Sequence, residues 1–151
     1  MATNKSMSIR VLGLAPLVRA FKQVDADIPK QMRLRFGMIA VRVVDLIRGR
    51  VPRGPSGNAQ ASVTPRSSAR GAAVAFGGDR APYFPWLAWG GSTGRGHARG
   101  PGMGAIHRPW LGKNDDRYVY PVLREERPEI AKAAEEAVIG AAIDNGFEVR
   151  G

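Results

Sequence analysis

The sequence contains no cysteine, which excludes a disulfide framework and any thiolate metal site. No apolar run reaches the ~18 residues that a membrane-spanning helix requires. The first ten residues, MATNKSMSIR, lack the apolar core of a secretory signal peptide. We therefore expect a soluble protein of a reducing compartment that makes no contact with a membrane.

Motifs that would carry enzyme chemistry are also missing. The serines at positions 56, 62, 67, 68 and 92 lie in turn-like contexts without a Gly-x-Ser-x-Gly motif. Asp115 and Asp116 could suggest the paired carboxylates of a nuclease, but the segment KNDDR is more typical of a solvated turn. We expect no catalytic residues and no enzyme activity.

The sequence also lacks complete motifs for a cofactor or a metal site. The stretch GGSTGRG at Gly90–Gly96 is glycine-rich but lacks the Gly-Lys-Ser/Thr ending of a phosphate-binding loop. His97 and His107 stand ten residues apart with few acids nearby, whereas zinc sites use three or four ligands at defined spacing. We expect neither a cofactor nor a metal.

Acidic residues are scarce outside the C-terminal part of the chain. The net charge is +10, and residues 114–151 hold 9 Asp/Glu against 5 Lys/Arg, whereas residues 1–113 hold 4 against 18. A basic body with an acidic C-terminal helix suggests head-to-tail contact between copies or proximity to nucleic acid. Charged faces that are simply solvated would explain the pattern equally well.

Apolar spacing and turn residues predict an α+β fold, in which a long N-terminal helix packs on a small antiparallel sheet with a C-terminal helix alongside. Residues 1–8 are expected to be a flexible terminus, 9–146 a single domain with mobile loops at about 50–58 and 90–110, and 147–151 a tail. The predicted elements of the first half are a helix from Ile9 to Lys22 (or from near Pro16), a long helix from Asp27 to Arg50 with Asp27 as its N-cap, and strands at Asn58–Arg66 and Ala72–Phe76. Those of the second half are a strand or helical turn at Tyr83–Trp89, a long loop at Gly90–Pro109, an extended or irregular entry at Arg117–Leu123 and a helix from Pro128 to Asp144.

Three segments carry a resemblance to a known family. Pro52–Val63, PRGPSGNAQASV, resembles a Pro-x-x-Thr-Gly-x-Leu-x-x-Ser turn that follows a long helix, with Ser56-Gly57 in place of Thr-Gly. An aromatic run then ends in the pair Gly90-Gly91, and Tyr118–Leu123 forms an aromatic–Pro–apolar entry into the last helix. Over about residues 10–145 this order is similar to the siphophage tail-component family of head–tail joining, neck or tail-completion proteins. The inserted Pro55, the missing Leu and the longer glycine-rich loop depart from the family pattern.

The resemblance implies a structural virion protein that is made in the host cytoplasm and forms a ring, by resemblance a hexamer, at the head–tail junction. The ring would surround the DNA channel, close to packaged DNA, and contact connector, tail terminator or tail tube proteins. We expect the interface residues to be Arg50, Arg53, Pro55 and Ser56 in the first loop, and Trp86, Trp89, Arg95 and Arg99 in the aromatic run and second loop. The aromatic run itself could instead be core. The alternative function is a free-standing basic nucleic-acid-binding protein, which the pI near 11.0 favours.

Overall fold

The computed structural model describes residues 5–10, 14–92, 107–112 and 115–148. Its helices are α1 (Leu14–Val24), α2 (Asp27–Arg50), α3 (Asn58–Ser62), α4 (Phe84–Trp89), α5 (Val119–Glu125) and α6 (Arg127–Asp144). Its strands are β1 (Lys5–Arg10), β2 (Thr64–Ser68), β3 (Gly71–Phe76), β4 (Gly91–Ser92) and β5 (His107–Arg108). The predicted α+β fold is confirmed, because the long helix α2 packs on a small antiparallel sheet.

Helix α2 is the central element of the fold, and its predicted bounds are confirmed. Buried apolar side chains recur every three or four residues along one side of it, as an amphipathic helix requires. The prediction that Asp27 is the N-cap was wrong, because Asp27 is the first helical residue and Ala26 is the N-cap. The Asp25 carboxylate, two residues earlier, accepts the Asp27 backbone N–H at 2.8 Å. The helix ends before Val51, whose backbone is extended and precedes Pro52.

The main sheet has three strands in the order β1-β3-β2, with both pairs antiparallel. β2 and β3 form a hairpin that is closed by Ala69 and Arg70, with Ser68 opposite Gly71. β3 is central and largely buried, which suits its sequence GAAVAF. β2 packs most extensively on α2, and α6 also packs on this helix.

Two groups of buried side chains form the core, one around each half of α2. The first joins the N-terminal half to α1 and to the alanines of α6. The second joins the C-terminal half to β3, α4 and α5. In this second group the Phe76 ring lies 5.0 Å from that of Phe84 and 5.7 Å from that of Trp89. Aromatic pairs at these centroid distances add to the stability gained from burial alone.

The N-terminal prediction was wrong in its detail. Lys5–Arg10 is a strand that pairs with β3, with Lys5 opposite Phe76, so part of the segment expected to be flexible belongs to the sheet. The first helix begins at Leu14, not at Ile9 but close to the alternative start near Pro16, and Pro16 falls in its first turn, where a missing N–H is tolerated. The alternating pattern of KSMSIR is typical of a strand, and pairing with a distant strand completes it.

Two other segments are helical where extended structure was expected. Asn58–Ser62 forms the short helix α3, so the strand starts only at Thr64. The Gln60 amide donates to the carbonyls of Arg48 and Val51, which ties this turn to the end of α2. Val119–Glu125 is α5 and not an extended entry. Tyr83–Trp89, predicted as a strand or a helical turn, contains the helix α4.

The two ends of the predicted long loop, Gly90–Pro109, are joined by a pair of short strands. Gly91 pairs with Arg108 and Ser92 with His107, which makes β4 and β5 a short antiparallel ladder. Residues 93–106 lie outside the part of the chain that the structure describes.

Candidate interaction surfaces

The first predicted interface segment contains one residue that is already paired. The Arg50 guanidinium binds the Glu125 carboxylate through both of its oxygens, with Nη1 to Oε1 at 3.1 Å. Arg53, Pro55 and Ser56 are exposed. The Ser56 hydroxyl accepts the backbone N–H of Asn58 at 3.4 Å. This segment therefore offers one free cation, Arg53, to a partner.

Arg50 is the last of three arginines of α2 that bind the acidic C-terminal part of the chain. Arg35 pairs with Asp144 at 2.6 Å, and Arg42 pairs with Glu126 at 3.2 Å. The opposite charges of the two ends of the sequence thus meet partly within one subunit. Three acids of α6 remain exposed and form no ion pair with any described residue: Glu129, Glu135 and Glu136.

The aromatic run is divided between core and surface. Trp89 is only 7% exposed and packs against Phe76, so it stabilises the subunit and offers little area to a partner. Trp86 is half-buried, and its Nε1–H donates to the Gly91 carbonyl at 3.0 Å. The Arg108 guanidinium carbon lies 5.7 Å from the centroid of the Trp86 ring, within the range of a cation–π contact.

The base of the second loop is held by backbone contacts. A Cβ atom at Gly90 would lie 2.0 Å from the Pro109 carbonyl oxygen, so only glycine permits this approach. Arg117 donates to the carbonyls of Ala88 and Pro109 at 3.2 and 2.7 Å. Arg95 and Arg99, both predicted interface residues, lie outside the described residues. Beside this base, Trp110 is 59% exposed, a surface aromatic residue that the sequence interpretation missed.

A row of apolar side chains lies on the solvent side of α2, and we call it the apolar stripe. It consists of Leu34, Met38 and Val41, which are 71%, 73% and 47% exposed. Their spacing of four and three residues places them on one side of the helix, opposite the buried side that includes Phe36 and Val43. An amphipathic helix in a monomer normally carries polar residues there.

A basic pocket opens between α1 and the turn that joins β2 to β3. It has a volume of about 600 Å³ and is lined by Val18, Arg19, Lys22, Ala26, Pro29, Ser68, Ala69 and Arg70. Three of these residues are cations and none is an acid. The side chains of Arg19, Lys22 and Arg70 are exposed and form no ion pair within the described part of the chain.

The adjacent aspartates that resembled a nuclease pair have separate partners. Asp116 is buried, and its carboxylate accepts the backbone N–H groups of Tyr118, Val119 and Tyr120 at 3.1, 2.8 and 2.6 Å. Asp115 pairs with Arg124 at 2.8 Å. The Asp116 carboxylate therefore satisfies N–H groups at the start of α5, whose N-cap residue is Tyr118, and stabilises that end of the helix.

Within the described ranges, no group of three or more His, Asp or Glu side chains could hold a metal ion. His97 lies outside those ranges. None of the described helices is long and apolar enough to cross a membrane.

Comparisons with protein-family models, with curated proteins and with solved structures find no match to this chain. The fold and its surfaces define a small α+β protein with an apolar stripe, a basic pocket and internally paired acidic helices.

Proposed function

We propose that this protein is a structural subunit of a ring at the head–tail junction of a long-tailed phage, where it joins the capsid connector to the tail around the DNA channel. The order of the Pro-Gly turn, the aromatic run and the last helix supports this proposal through its resemblance to tail-completion proteins. The observation that carries it is the apolar stripe. A single subunit leaves Leu34 and Met38 more than two-thirds exposed, and an assembled protein would cover them.

The occupant that we propose for the apolar stripe is a second copy of this chain. Among the described residues, α6 carries three unpaired acids beside two unpaired cations, whereas the unpaired charged residues of α1, α2 and the sheet hairpin are all cations. Complementary charges on different faces of one chain favour contact between unlike faces of two copies. Such head-to-tail contacts close into a ring when the rotation between copies allows it.

Variants of the apolar stripe test this proposal. Met38→Gln and Leu34→Gln keep a residue of good helix propensity at an exposed position, so folding should be little affected. We expect the wild-type protein to sediment as a ring, alone or when bound to one end of the junction, and the double variant to remain monomeric. Val24→Gln is the matched control, because Val24 is 67% exposed but lies on α1.

Two outcomes would count against the ring. One is a wild-type protein that stays monomeric at every concentration and also when it is mixed with tailless heads or headless tails. The other is a stripe double variant that assembles as well as the Val24→Gln control. A monomer that binds duplex DNA tightly and with steep salt dependence would instead favour the free-standing nucleic-acid-binding function, which the basic pocket supports.

A further inference from the structure

We infer that the basic pocket binds the phosphodiester backbone of duplex DNA. This inference deepens the proposed function, because it names the surface of the subunit that would face the DNA channel. The pocket brings together cations from two elements that are far apart in the sequence. Arg19 and Lys22 come from α1, and Arg70 comes from the turn between β2 and β3.

The fold places these cations side by side for structural reasons that do not require a ligand. Arg19 and Lys22 are three residues apart, so they lie on neighbouring positions of the same helical face. Val18, which precedes Arg19, is buried in the core and fixes the orientation of that helix. Arg70 sits in a tight two-residue turn, where the Ser68 hydroxyl accepts its backbone N–H at 3.2 Å.

No described residue that lines the pocket neutralises its charge. The nearest acids in the sequence, Asp25 and Asp27, flank the lining residue Ala26 but do not line the pocket. Asp27 is paired with Lys30 at 2.7 Å, and Asp25 accepts the Asp27 backbone N–H. Three like charges at one open site repel each other, and an anion that binds there relieves this repulsion.

Strand β2 presents a row of hydrogen-bond donors that leads to Ser68, which lines the pocket. Ser67 faces α2, since its hydroxyl lies 3.3 Å from the position of a Cβ at Gly37. The alternating residues Thr64, Arg66 and Ser68 therefore face away from α2, and all three are exposed. Arginine, serine and threonine side chains are among the groups that bind phosphate oxygens in protein–DNA complexes.

The chemistry of this surface fits a nucleic-acid backbone better than an acidic protein. A protein interface usually has a buried centre with aromatic or large apolar anchors. The exposed residues of β2 and its turn, Thr64, Pro65, Arg66, Ser68 and Arg70, include no aromatic or large aliphatic side chain. A polar, basic and anchor-free surface instead resembles the electrostatic, sequence-independent contacts that proteins make with DNA phosphates.

Salt dependence of DNA binding tests the inference. The pocket variant is Arg19→Gln, Lys22→Gln and Arg70→Gln, which removes three charges. The matched control is Arg80→Gln, Arg127→Gln and Lys132→Gln, which removes two arginines and one lysine that are exposed and unpaired among the described residues. Binding of a short fluorescent duplex of mixed sequence is measured by anisotropy between about 50 and 200 mM salt.

The slope of log K against log salt is negative, and we expect it to become shallower by about 3 in the pocket variant, since each phosphate contact contributes about 0.9 to its magnitude. Affinity at low salt should fall on the order of tenfold or more. The control variant should keep the wild-type slope and stay within about threefold of wild-type affinity. Circular dichroism and thermal melting establish that both variants are folded.

The inference is overturned if the wild-type protein does not bind the duplex, or if the two triple variants lose affinity equally. It is also overturned if the pocket variant keeps its DNA affinity but loses self-association, because the pocket would then bind carboxylates of a neighbouring copy. These outcomes leave the ring proposal to be judged separately, since that proposal depends on sedimentation of the stripe variants and not on DNA binding.

Discussion

The Arg50 guanidinium binds the Glu125 carboxylate through two parallel contacts and so joins the last residue of α2 to the last residue of α5. The hydrogen bond to Arg50 is the main reason that the pKa of Glu125 is lowered from its usual value of 4.5. The hydrogen bond to Glu125 likewise raises the pKa of Arg50. This pair is part of the row of contacts by which α2 binds the acidic C-terminal helices.

The Arg50–Glu125 pair should make a small, pH-dependent contribution to stability. Because the pKa of Glu125 is lower in the folded state, the unfolded state binds the proton more readily as pH falls. The contribution is therefore fully present above the unfolded-state pKa, near 4.5, and is lost as the pH falls through the lower folded-state pKa. Thermal melting of wild type and Glu125→Gln should show a small difference at neutral pH that shrinks towards zero in acid. A difference that is independent of pH would contradict this account, and added salt should reduce it.

Trp89 should matter to folding, and Trp110 should not. Trp89→Ala removes a buried ring that packs on Phe76, so we expect a loss of about 3–5 kcal/mol in the free energy of unfolding. Trp110→Ala removes a side chain that is 59% exposed and should change stability by less than about 0.5 kcal/mol. Urea denaturation compares the two variants. A Trp89→Ala protein with wild-type stability that fails to assemble would show that Trp89 serves the interface and not the core.

Asp116 should contribute more to the stability of the fold than its neighbour Asp115. Asp116→Ala leaves three backbone N–H groups at the start of α5 without their acceptor, and we expect a loss of about 2 kcal/mol. Asp115→Ala breaks an exposed pair with Arg124, which is worth about 0–1 kcal/mol. Chemical denaturation measures both. Equal losses in the two variants would mean that Asp116 does not stabilise the start of the helix.

Alanine substitutions at Gly90 and Gly91 should distinguish the cost of backbone strain from the cost of a steric clash. Both have a positive φ, of 97° and 104°, so alanine is strained at either position by about 1–2 kcal/mol. A Cβ at Gly91 meets no atom within 4 Å, whereas one at Gly90 would collide with the Pro109 carbonyl. Gly90→Ala should therefore be less stable than Gly91→Ala by a further ~1–3 kcal/mol. Similar melting temperatures for the two variants would show that the Pro109 segment is free to move away.

The parts of the fold that the sequence predicted are those in which local pattern and tertiary packing agree. Helix α2 has 24 residues, long enough for its apolar period to be clear, and β3 is an uninterrupted apolar run. The helix α3 has five residues, too few to show a period, and depends on hydrogen bonds from Gln60 to the end of α2. The residues of β1 alternate as in a strand, but no local pattern shows that β1 pairs with β3, more than sixty residues away.

The interaction surfaces were harder to predict for the same reason. Arg50 is a predicted interface residue, and no local pattern indicates that it also binds Glu125, 75 residues along the same chain. The basic pocket likewise joins α1 to a distant hairpin turn. The apolar stripe did leave a local signal, because Leu34, Met38 and Val41 recur at helical spacing on the side of α2 opposite its buried side.

The most direct test of the proposed function is the mass of the purified protein in solution, alone and after mixing with tailless heads and with headless tails of the long-tailed phage in which the proposal places it. We expect the protein to join one of these two particles as a ring, and we expect the Leu34→Gln and Met38→Gln double variant to fail to do so. A stable monomer that ignores both particles, while it binds duplex DNA tightly and salt-sensitively, would contradict the proposal.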